Sequence, residues 1–94
     1  MAYTLSQANK TVTTAGTRVQ TSSTPILARS VVIQANVGNA GTIYLGNASV
    51  TSSVYGVALA AGQSISLGDV DSKIDLSTLY INGTSGDGVS VLSF

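Results

Sequence analysis

At 94 residues the chain is long enough to enclose one hydrophobic core and too short for two, so a single domain spanning 1–94 is expected. Apolar residues make up 44% of it and charged residues only 9%, against about 25% in ordinary globular domains; glutamate is absent, which leaves little to dress an exposed helix face. Four basic and four acidic side chains cancel to a formal net charge of zero, which argues against phosphate backbones and anionic lipid as partners, so neither nucleic acid nor membrane is expected.

In chain order, residues 1–7 show neither the basic start nor the apolar run of a signal peptide. They read as a flexible N-terminal arm, with Tyr3 and Leu5 as candidate anchors on a partner. Residues 10–14 and 17–21 carry β-branched side chains around Ala15-Gly16, the pattern of a hairpin, and Pro25 then confines its neighbourhood to an edge or a connection. Residues 30–37 form the clearest strand, with Val31, Ile33, Ala35 and Val37 on one face and Val32, Gln34 and Asn36 on the other. After a Gly38-Asn39-Ala40-Gly41 turn the alternation resumes in residues 42–45, so the two runs are expected to pair as a hairpin. A third strand is expected over 63–67, where Ile65 and Leu67 alternate with serines between Gly62 and Gly68. Residues 69–77 fit a capped helical turn and an alternating strand equally well. Residues 79–81 and 89–94 flank a Gly- and Asn-rich loop and read as a terminal hairpin. Seven to eight short strands at intervals of about ten residues predict an all-β fold, a single small antiparallel β-sandwich or jelly roll.

The chain lacks histidine and cysteine, which removes Ser-His-Asp and Cys-His catalysis together with His- and Cys-based metal sites. Asp69, Asp71 and Asp75 cluster in sequence, but without the alternate spacing and distant glutamate of a calcium loop, and they read as solvated turn residues. Asp87, between Gly86 and Gly88, reads as a turn residue bonding its own loop. No enzyme activity, metal or cofactor is expected. Among the four tyrosines, Tyr44 and Tyr80 lie opposite the inward-facing Ile43 and Ile81, and Tyr55, in a loop, is the best candidate for a partner-facing ring.

Three segments carry a resemblance: Gly41-Thr42-Ile43-Tyr44-Leu45-Gly46, then Val50-Thr51 through Tyr55-Gly56-Val57-Ala58-Leu59, then Ala61-Gly62-Gln63-Ser64-Ile65-Ser66-Leu67. Together with Leu76 to Gly83 they resemble small β-sandwich virion proteins of tailed bacteriophages, of the capsid decoration or cement type. In those proteins a strand ends in glycine and leads through a "dVtasnGyPL" loop and a "PGeS" turn to a strand, and an "LskIYvig" strand follows. The resemblance covers residues 30–94. This chain departs from it at Val57-Ala58, where the loop often carries proline, and at Ala61, which replaces the proline of the turn. The resemblance implies a non-enzymatic structural protein on the capsid surface of a virion, a homotrimer that binds the major capsid protein and stabilises contacts between capsomers. A carbohydrate- or receptor-binding module of a tail or fibre is the alternative it leaves open.

Overall fold

The computed structural model describes residues 5–23, 26–68 and 73–94. Ten strand segments occur among them: β1 (Ser6–Thr11), β2 (Val19–Gln20), β3 (Leu27–Ala28), β4 (Ser30–Ala35), β5 (Ile43–Gly46), β6 (Val57–Leu59), β7 (Ser64–Gly68), β8 (Ile74–Asp75), β9 (Tyr80–Asn82) and β10 (Gly88–Ser93). Eight of them build two four-stranded antiparallel sheets, ordered β1-β10-β4-β7 and β2-β9-β5-β6, while β3 and β8 pair separately. The chain crosses from one sheet to the other at nearly every connection, and this interleaved order is that of an eight-stranded jelly roll. The expectation of a small all-β sandwich is met.

The expected hairpins are not. Residues 10–14 and 17–21 contribute to β1 and β2, which lie in different sheets, and the same holds for β4 with β5 and for β9 with β10. Among the strands adjacent in sequence, β5 and β6 do pair, with Ile43 opposite Leu59. Alternation fixes which face of a strand is buried but leaves its partner open, and a two-sheet core is closed by loops that bridge the sheets.

Inward positions of both sheets supply the core: Val31, Ile33, Ala35, Val89 and Val91 from one, and Ile43, Leu45, Leu59 and Ile81 from the other. Ile33 is wholly buried, which stabilises the fold by about 1.5–3 kcal/mol relative to leaving it in water. Val37, expected on the same face, is instead 79% exposed. β4 stops at Ala35, and the chain turns there through a hydrogen bond from Asn39 N to Asn36 O of 3.1 Å.

Three tight turns share one construction. Thr17 N donates to Thr14 O, Gln63 N to Ala60 O and Asp87 N to Thr84 O, and the third residue of each turn is a glycine at φ 80°, 82° or 90°. Positive φ at that position alone defines a type II turn, which glycine adopts without strain. Of the ambiguous stretch only residues 73–77 are described, and there β8 is followed by a single 3₁₀ turn, Leu76–Thr78, capped by Asp75. Asp69 and Asp71 lie outside the described residues.

Candidate functional site

On the outer face of the β1-β10-β4-β7 sheet the register brings the side chains into rows. Gln7, Leu92, Val32 and Ser66 lie across one row, and Asn9, Ser90, Gln34 and Ser64 across the next. The ladder continues past the strand ends, where Phe94 and Ser30 exchange both backbone hydrogen bonds at 3.0 Å, and Leu5 falls beside Phe94 in register with Ser6 and Ser93. None of these outward positions holds a charged side chain. Leu5, Leu92 and Phe94 are exposed at 65%, 38% and 37% and form an apolar corner next to the half-buried Val32. A shallow groove of about 550 Å³ runs over the sheet between Gln7, Asn9, Val32, Gln34, Ser90 and Leu92.

The outer face of the other sheet is aromatic and more covered. Tyr44 points outward, as expected, and the ring of Tyr55 packs on it with centroids 4.9 Å apart and planes at 48°. The loop that delivers Tyr55 folds back over β5: Val50 N donates to Asn47 O, Gly56 N to Leu45 O, and Val50 is buried against Gly46. A Cβ at Gly46 would stand 3.1 Å from Val50 Cγ2, so glycine there lets the loop close down. Asn82 Nδ2 ties the loop to the sheet by donating to Val50 O at 3.2 Å. Val54 and Tyr55 remain exposed beside a cleft of about 290 Å³ bounded by Gly46, Asn47 and Gly56. Tyr80 lies under the Arg18 guanidinium, 5.7 Å from its ring centre, a cation–π contact that occupies this ring within the domain.

Of the three anchors expected from the sequence, Tyr3 lies outside the described residues. Leu5 and Tyr55 are exposed, but they sit on the outer faces of opposite sheets and so do not form one site. Ser6 and Gln7, expected in the arm, are the first residues of β1 and pair with Ser93 and Leu92. Sequence reasoning missed Leu92 and Phe94. The signal was present: Val89, Val91 and Ser93 face inward, which leaves two large apolar side chains on the opposite phase of the same strand.

The two described aspartates, Asp75 and Asp87, hold turns. The Asp87 carboxylate is buried, and it accepts from Ala40 N at 2.9 Å and Gly41 N at 2.7 Å, so it clamps the β4–β5 connection instead of its own loop. Asn39 and Gly88 add a reciprocal pair, Nδ2 to O and N to Oδ1, both 2.9 Å. Asp75 accepts from the Ser77 hydroxyl at 2.8 Å and from its amide at 2.9 Å, which holds its carboxyl below the usual carboxylate range. Among the described residues no three acidic side chains converge.

Compared with known proteins, the chain matches no family model, no curated protein and no solved structure. Its described surface presents an uncharged sheet face with an apolar corner on one side, and an aromatic loop on the other.

Proposed function

We propose that this chain is a non-enzymatic structural protein of a tailed-phage virion, a decoration or cement protein that sits on the capsid surface and binds the major capsid protein through the uncharged outer face of its β1-β10-β4-β7 sheet. The observation that carries the reading is that face, with Leu5, Leu92 and Phe94 exposed among Ser, Asn and Gln side chains and no charge at any outward strand position. Depletion of charge around large apolar anchors marks the centre of protein interfaces. The resemblance of residues 30–94 to cement-type proteins supports it. Four strands about 4.8 Å apart and about 20 Å long present roughly 400 Å², about half of what one partner contributes to a stable pairwise interface. A protein with such a face holds its place by touching more than one neighbour, which is what bridging capsomers means, and a second contact multiplies affinity.

The test is retention on purified particles. Apolar burial is not screened, so the wild type should stay bound in washes of about 0.05 M and about 1 M sodium chloride, and the double variant Leu92→Asp, Phe94→Ser should be released in both. Release of the wild type by high salt, or full retention of the double variant, refutes this reading. A carbohydrate- or receptor-binding role on a tail or fibre is favoured by one observation, the exposed Tyr55 ring beside its cleft. Copy number decides between the two: hundreds per particle fit cement, a handful fit a tail.

A further inference from the structure

We propose that β7 is a self-pairing edge, through which two copies of this chain join their β1-β10-β4-β7 sheets into one continuous antiparallel sheet across a two-fold axis at Ser66. The argument starts from hydrogen-bond direction. Ala35 N donates to Gln63 O at 2.8 Å, so Ala35 faces Gln63 as a hydrogen-bonded site, and such sites recur at every second residue of an antiparallel ladder. Ile33 with Ile65 and Val31 with Leu67 are then the bonded pairs, which leaves the N–H and C=O of Ser64 and Ser66 directed away from β4. The Phe94–Ser30 exchange and the bond from Asn36 N to Gly88 O put the other phase of β4 against β10, in agreement. β7 is the last strand of its sheet, and no described residue bonds to its outer side.

Sheets in soluble proteins guard such edges with lysine, proline, bulges or very short strands. The opposite edge of this sheet, β1, carries Lys10. β7 has neither charge nor proline in Ser64-Ile65-Ser66-Leu67-Gly68, and the bulge in which Gly62 N and Gln63 O both bond Ala35 ends before the strand begins.

What selects a second copy as the occupant is the order of those residues, which is self-complementary about Ser66. In a two-fold antiparallel pairing Ser66 meets Ser66 of the other copy and Ser64 meets Gly68, small neutral residues at the hydrogen-bonded sites. Ile65 meets Leu67 at the closer, non-bonded sites, on the inner face where both are half-buried at the rim of the core. Each half-buried apolar residue thus gains an apolar neighbour, and each outward backbone group gains a partner. The outer face stays uncharged across the joint. The pairing stands whatever that face binds, and it gives two-fold symmetry where the family resemblance implies three-fold.

Sedimentation of the wild type at tens of micromolar should give a dimer. Ser66→Lys places two ammonium groups opposite each other at about 5.5 Å between Cα atoms, and should weaken dimerisation at least about tenfold while circular dichroism stays unchanged. Ser66→Asp should do the same alone, and an equimolar mixture of the two variants should dimerise again, because opposite charges then meet across the axis. Hydrogen exchange on the wild type gives an independent reading: the Ser64 and Ser66 amides should be protected at high concentration and lose protection on dilution. A monomer or a trimer, dimers that survive both substitutions, a mixture that stays monomeric, or exchange at Ser66 that does not depend on concentration each overturns the proposal.

Discussion

Replacing Asp87 tests how much of this fold depends on one carboxylate. Its oxygens accept from two backbone amides of the β4–β5 connection, at 2.9 and 2.7 Å, and the residue is only 4% exposed. Hydrogen bonds to a charged group contribute about 1.5–3 kcal/mol each. Here both donors are only partly buried, so water can reach them when the carboxylate is gone, and the lower end applies. Asp87→Ala should therefore cost about 3 kcal/mol, out of the roughly 5–14 kcal/mol expected for a domain of this size. Asp87→Asn keeps one acceptor oxygen but turns an amide N–H₂ toward a donor, and should cost about half as much or somewhat more. Urea unfolding followed by circular dichroism is the assay. With a slope of about 1–1.5 kcal/mol/M, the alanine variant should lose about 2–3 M in midpoint with the slope unchanged. A loss under about 1 kcal/mol for Asp87→Ala would show that the Asn39–Gly88 pair and the surrounding backbone hold the two loops without it, and the clamp argument would fail.

Two smaller effects are also expected. Ala61 is the second residue of the type II turn from Ala60 to Gln63, the position that favours proline, so Ala61→Pro should raise stability by about 0.4–1 kcal/mol; a lower thermal midpoint would contradict the turn assignment. Asp75 is held below the ordinary carboxylate range, so its contribution is present above that range and lost as pH falls through the lowered value. Asp75→Asn should flatten the acid side of the stability profile, and unfolding midpoints that fall equally in both proteins between about pH 5 and about pH 2 would count against the Ser77 contacts.

The amino-acid sequence by itself determined the class of fold and the buried face of most strands. Those properties are local: Val31, Ile33 and Ala35 alternate with Val32 and Gln34 whatever lies beside them, and glycine marks the turns because its backbone tolerates positive φ. Only the tertiary structure decided which strands pair. β4 lies between β10 and β7 and not beside β5, because two sheets that must cover each other are joined by crossing connections, and side-chain period carries no record of a partner distant in the chain. For the same reason Asp87 looked like a residue serving its own turn until the fold placed the backbone amides of Ala40 and Gly41 against it. Leu5, Val32, Leu92 and Phe94 became one surface in the same way, since they come from three strands that only the folded sheet sets side by side.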